Sequence, residues 1–357
     1  MRDALSLRVQ LQAEIVDLTS LVSVEAFAQR LLHSAPKLDA VILNAGVAGV
    51  YDNNWPLAFW TIAIGPVQAL TWPIFKLASI GSLTPRQLPG KATDEPPLGN
   101  VFCANVFGHY VLVHRLASRL SSDSVSQPSG RIIWVGSIEP HDGHFNLADL
   151  QGLTSDKAYE SSKRLTEILA LTSDLPGTKP WVKQFLSTDS DSFSASASAS
   201  PPKVYLTHPG VCATGIVPLN KVLFCLFYCA LYLARWLGSP WHTIKTYSAA
   251  CSAVWVALSP AGQLDTLNPP GAGSKWGSAT DTMGRERVAR THVEGWGYRG
   301  VVGEEGTGAN ARRGGRRAGT VDLTPEARED FEVLGREAWK AMEALRVQWE
   351  DLLQTHQ

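Results

Sequence analysis

Tyr159-Glu160-Ser161-Ser162-Lys163 sets a phenol and an ammonium four residues apart. In a helix, positions i and i+4 share one face, so both side chains reach one small volume. A cation held there favours phenolate and draws a pKa of about 10 toward working pH. A phenol so poised can give a proton to an oxygen that is becoming an alkoxide. The spacing alone specifies little, because any helix can carry it. Its meaning depends on the elements around it.

Residues 8–17 alternate apolar and polar, which predicts a strand ending at Asp17. Leu21, Val24, Phe27, Leu31 and Leu32 predict a helix over 21–33. The apolar run from Leu38 to Leu43 stops at Asn44-Ala45-Gly46, as a strand buried on both faces does. A helix over 98–120 carries Asn105. A second buried strand, 131–135, ends at Gly136-Ser137, and the Tyr159 helix runs on to about Leu171. A third strand, 204–207, ends at His208-Pro209-Gly210. This alternation predicts an α/β fold built on a doubly wound parallel sheet, whose ligands bind beyond the carboxyl ends of the strands. Asn44, Ser137 and Pro209-Gly210 all stand at such ends.

One domain is expected over 1–302, with insertions at 51–97 and 187–202. The first is rich in Trp and Pro. The second is Ser/Asp/Ala/Pro low complexity, read as a disordered surface loop. A flexible Gly/Arg-rich loop over 303–319 and a C-terminal amphipathic helix within 320–357, packing on the domain, complete the plan. A formal net charge of -1 argues against nucleic acid. The five cysteines form no CxxC pair and read as reduced, mostly packed thiols; Cys225 and Cys229 are among them. His141, Asp142 and His144 lack a fourth partner at metal-site spacing, so no metal is expected; they read as lining a substrate entrance or a solvated loop.

In order along the chain, Asn-Ala-Gly, a helical Asn105, a strand-end Ser137, Tyr-x-x-x-Lys and Pro-Gly resemble the short-chain dehydrogenase/reductase family, with its Rossmann-like fold. That resemblance implies a role for each residue. Tyr159 would donate the proton in ketone reduction, Ser137 would bind the carbonyl oxygen, and Lys163 would lower the Tyr159 pKa and hold the nicotinamide ribose. Asn105 would hold a water linking Lys163 to solvent. Asn44 and Gly46 would line the cofactor, Asp17 would contact its adenine, Pro209 and Gly210 would face the nicotinamide, and Thr214 its carboxamide. Within that family, Pro36-Lys37-Leu38-Asp39-Ala40, Leu70-Thr71-Trp72-Pro73, Asp149-Leu150-Gln151, Lys275-Trp276-Gly277-Ser278 and Val293-Glu294-Gly295-Trp296-Gly297 are similar to fungal 3-keto-steroid reductases. This narrower likeness implies NADPH, a sterol 3-ketone as substrate, ergosterol synthesis and the cytosolic face of the endoplasmic reticulum or a lipid droplet. Other sterol-synthesis enzymes would then be candidate partners.

The family opens with a strand and a Thr-Gly-x-x-x-Gly-x-Gly loop that this chain lacks. Gly306-Thr307-Gly308-Ala309-Asn310 imitates the loop, but no apolar strand precedes it. Two explanations stand: a reading frame that starts late, which the retained catalytic residues favour, or a degenerate homologue. The second leaves open a catalytically silent, membrane-associated scaffold; a triterpenoid ketone reductase is a further alternative. Val222 to Ala234 is apolar on every helix face but too short to span a bilayer. It reads as an interfacial helix contacting both the membrane surface and a sterol pocket, with the Trp-rich insertion on the same side. A buried helix or a dimer contact is the other reading.

Overall fold

The structure is a computed structural model that describes residues 10–88, 95–122, 127–187, 200–215, 219–304 and 315–355. Its strands are β1 (Ala40–Leu43), β2 (Val50–Asn53), β3 (Lys76–Ala78), β4 (Arg131–Val135), β5 (Lys203–His208), β6 (Lys275–Thr280) and β7 (Glu286–Thr291). Five of them form one sheet in the order β1-β4-β5-β6-β7, parallel except for β7. The predicted α/β fold with a parallel sheet is what forms.

The helices are α1 (Leu21–Ser34), α2 (Trp55–Ile64), α3 (Pro66–Thr71), α4 (Asn100–Phe102), α5 (Gly108–Leu120) and α6 (Ala158–Thr172). After these come α7 (Lys179–Leu186), α8 (Lys221–Trp236), α9 (Thr246–Ala249), α10 (Cys251–Leu258), α11 (Ala261–Leu267) and α12 (Pro325–Thr355). Period-two alternation divides the apolar strand β4 between two cores. Ile132 and Trp134 join Phe107, Leu165 and Trp339 under α5, α6 and α12, whereas Ile133 packs with Val256 and Leu264 of α10 and α11. Both faces are covered, so β4 is apolar from Ile132 to Val135, after Arg131 at its start.

The segment expected as a strand ending at Asp17 is not one. Residues 10–17 carry no ladder, and Ile15 is 89% exposed. An extended segment becomes a strand only when a neighbour takes its backbone N–H and C=O groups. Among the described residues, β1 is the edge of the sheet and this segment does not reach it. Helix α1 does form as its apolar spacing predicts, with Ser20 accepting from the Ser23 N–H at its start.

The 51–97 insertion has its own small framework, an antiparallel β2–β3 pair with α2 and α3 between them. Most of the low-complexity insertion and residues 305–314 of the Gly/Arg-rich segment lie outside the described residues. Beyond them, the Gly315 carbonyl accepts from Trp241 Nε1, and Arg317 pairs with Glu294 at 2.7 Å. Helix α12 then packs along α6 and α7. Trp339 is fully buried there, tilted against Tyr110 and Phe185, with its indole N–H on Leu169 O. Trp339→Ala should lower unfolding free energy in urea by about 3–5 kcal/mol. A loss under about 1 kcal/mol would show that α12 is not integral to this core.

Candidate active site

Strand β4 ends where Gly136 N–H reaches Thr207 O of β5 at 2.7 Å, and the next residue, Ser137, is buried at that end. Its Oγ accepts the Glu139 N–H at 3.3 Å, leaving the hydroxyl proton free to point elsewhere. Helix α6 crosses this strand end with Tyr159 and Lys163 on one face. Ser137 lies near enough to the phenol to draw its pKa down. Lys163 Nζ donates to Val135 O at 2.8 Å and lies 5.9 Å from the Tyr159 ring centroid. Three of the four predicted catalytic residues thus meet at one strand end.

Asn105, the fourth, sits in a π-helical turn, Cys103–Phe107, between α4 and α5. Such turns often mark functional positions, because one extra residue re-aims the side chains. Asn105 Oδ1 accepts the Val47 N–H at 2.7 Å, while its Nδ2 donates to Val47 O at 2.9 Å and to Ser162 Oγ at 3.0 Å. It therefore ties the loop after β1 to the residue preceding Lys163. Gly46 is required for that approach: a Cβ there would lie 2.5 Å from Asn105 Oδ1. His109, on the next helical turn, holds the same loop through a 2.9 Å bond between Nε2 and Ala45 O. Burial keeps its pKa down at about 4, so it is neutral and donates there. Its spacing from Asn105 was the available hint.

Asn44 stands exposed at the end of β1. Pro209 and Gly210 follow β5. Gly210 has φ +70° and packs so closely that a Cβ would meet Trp241 O at 2.3 Å. Thr214 is half-buried four residues further on. Asp17 is exposed, and its carboxylate accepts from the Thr19 N–H and hydroxyl. The His141 and His144 rings lie 3.6 Å apart, tilted by 38°, and Asp142 pairs with Arg164. A polar cleft lined by Trp72, Ile138, Pro140, His292, Glu294 and Arg317 opens beside this strand end.

The electrostatics differ from the simple expectation for a Tyr–Lys pair. Burial pushes the Tyr159 phenol up to about 12; Glu139 adds to this, while Ser137 and Lys76 oppose it. Burial pushes the Lys163 ammonium down to about 8. Lys163 directs its ammonium at Val135 O, and the cation that counters the rise at Tyr159 is Lys76 of β3. Lys76 is buried in ion pairs with Glu139 and, at 2.6 Å, Glu160. This triad was missed from the sequence, where Lys76 is merely a lone charge among Ile74, Phe75, Leu77 and Ala78.

The nicotinamide end of a dinucleotide fits these residues. Lys163 has three N–H donors and spends one on Val135 O, so buried donors remain for ribose oxygens. Among the described residues, no glycine-rich turn adjoins the outer edge of β1 to cradle a pyrophosphate.

Comparison with known proteins supplies the family. A 3-keto-steroid reductase from Aspergillus fumigatus is 47% identical over 358 aligned positions, spanning 98% of this chain and 79% of that protein. The chain belongs to the 3-keto-steroid reductase family. Members from Gibberella zeae, at 39% identity over 97% of the chain and 78% of the relative, and from Schizosaccharomyces pombe, at 31% over 80% and 73%, bear the same name. No family model matches the chain. An uncharacterised protein from Mycobacterium paratuberculosis superposes with a TM-score of 0.41 at 16% identity, covering 94% of this chain and 76% of that one; the fold class rests on the strand order itself. Within this 3-keto-steroid reductase homologue, Gly46→Ala should force the Asn105–Val47 contact apart. We expect about 1–3 kcal/mol lower stability in thermal or urea unfolding. An unchanged midpoint would show that the loop yields without cost.

Proposed function

We propose that the chain reduces the 3-ketone of a sterol intermediate to a 3-hydroxyl, with NADPH rather than NADH as electron source. The observation that carries this reading is the meeting of Ser137, Tyr159 and Lys163 at the end of β4, in a chain of this family. The nicotinamide, when bound, supplies the hydride. Ser137 can donate its hydroxyl proton to the carbonyl oxygen and stabilise the negative charge that grows there. Tyr159, with its pKa near 12, carries its proton at neutral pH. That is the form reduction needs, and an alkoxide is basic enough to take the proton. Lys163 offers donors to the ribose, and Asn105 holds both the loop after β1 and the helix that bears Lys163. Asn44, Gly46, Pro209, Gly210 and Thr214 border the cofactor's path across the strand ends, with Asp17 at the adenine side.

Tyr159→Phe should lower kcat for reduction of a sterol 3-ketone by at least about 100-fold, with the thermal midpoint unchanged. The assay is oxidation of reduced nicotinamide on detergent-dispersed substrate. Retained turnover would remove Tyr159 as the proton donor.

We also assign the chain to a membrane surface, on the cytosolic face of the endoplasmic reticulum or a lipid droplet. Among the described residues, no helix is long and apolar enough to cross a membrane. Helix α8 nevertheless exposes Val222, Leu226, Leu233 and Trp236, and α3 joins it to α2, which exposes Phe59, Trp60 and Ile64. Exposed apolar surface rich in Trp suits the bilayer interface. Trp60→Glu combined with Trp236→Glu should weaken co-sedimentation with phospholipid vesicles by about tenfold or more. Equal partitioning of variant and wild type would dissociate these helices from the membrane.

A further inference from the structure

We propose that Lys76 is a positioning residue of this site: its ammonium, carried in by β3 of the insertion, sets the acidity of Tyr159 by balancing the two carboxylates that crowd the phenol. The inference rests on the reductase reading above. Lys76 is only 8% exposed, and its Nζ lies 5.1 Å from the Tyr159 ring centroid, closer than Lys163 at 5.9 Å. It contacts both Glu139 and Glu160. Both of its acidic partners act on the phenol: Glu160 is its chain neighbour, and Glu139 stands two residues beyond Ser137.

Every charged or titratable group around Tyr159 has a place in this balance. Lys76 comes from β3, Glu139 from the loop after β4, and Glu160 and Lys163 from α6. Lys157, at the N-terminus of α6, donates to Lys76 O at 3.5 Å and helps seat β3. His144, tilted against His141, faces Glu160 and Lys76 and is held neutral by burial, with a pKa of about 4. His109 lies on the far side, beside Lys163. A charge at 4–6 Å moves a pKa by about one to three units. Burial and the carboxylates raise the Tyr159 phenol, and Lys76 lowers it, so its acidity is set by opposed influences. Removing Lys76 should make the phenol a weaker acid. Neutralising Glu139 should make it a stronger one. A purely structural lesion has no reason to produce opposite shifts.

The test is the pH dependence of the reverse reaction, oxidation of the 3-hydroxysterol, whose rising limb reports ionisation of Tyr159. At a fixed pH on that limb, Lys76→Met should slow oxidation about tenfold, as a limb moved up by about one unit does, and Glu139→Gln should speed it about tenfold, as a limb moved down by about one unit does. Lys76→Arg should restore the wild-type position. Limbs that coincide with wild type, or that move in the same direction in Lys76→Met and Glu139→Gln, overturn the proposal. If Lys76→Met does not fold, Glu139→Gln decides alone, because it keeps the Lys76–Glu160 pair; a limb that fails to descend refutes the balance. Tyr159→Phe separates the two levels of the argument. A rising limb that survives in that variant overturns the reductase reading itself, and the role of Lys76 with it.

Discussion

Helix α6 is buried from Glu160 through Thr172, yet it carries a run of polar and charged side chains. A buried polar group without a partner is costly, and an unpaired buried charge more so. Each must therefore find its counterpart on the elements packed around the helix. Glu160 takes Lys76, Ser162 takes Asn105, and Lys163 takes Val135 O. Arg164 takes Asp142 and Glu167, and Glu167 also takes Lys275 of β6. Buried ion pairs add little net stability over apolar packing of the same volume. What they do here is leave the helix a single seating in which all of them are satisfied. Tyr159 reaches the end of β4 because that seating puts it there.

The same constraint governs the approach from β1. The loop after that strand is held by one asparagine using both its donor and its acceptor on Val47, which needs an amide placed within bonding distance of a main chain. An ordinary α-helix continuing from Asn100 would not aim residue 105 in the same direction. The π turn supplies the correction, and Gly46 supplies the space. Strand end, loop, π turn and α6 form a closed circuit, with Ser162 as the link next to Lys163.

Much of this was legible in the sequence, for identifiable reasons. The apolar runs ending in Asn44, Ser137 and Pro209 read as parallel strands, because alternation is absent and turn residues follow at once, although β1, at the sheet edge, buries only Leu43. Tyr159 and Lys163 share a face by helical geometry alone. Other features depend on neighbours that local pattern does not name. Residues 10–17 alternate like a strand but have no ladder partner among the described residues. Cys225 and Cys229 read as packing thiols and are exposed, because α8 lies on the surface despite apolar residues on every face. The Tyr159 pKa was expected to fall through Lys163 and instead rises, since burial and Glu139 outweigh the cations nearby. Spacing names the pair, and burial sets the sign of the shift.

That sign bears on how an apolar substrate and a charged site can share one fold. Charge is concentrated where α6, β3 and the loop after β4 converge, and the cleft beside it is lined by Glu294, His292 and Arg317. Exposed apolar surface lies instead on α2 and α8, the helix that follows β5 in the chain. A sterol skeleton gains by remaining on apolar surface and offering only its ketone to the polar strand ends. The phenol must then be dry enough that water does not compete for the developing alkoxide, and drying it raises its pKa. A buried ammonium that has already neutralised part of the local negative charge limits that rise without admitting water. The Trp-rich insertion is therefore more than a surface addition: it supplies exposed apolar residues at α2 and, twelve residues past that helix, the buried cation at β3.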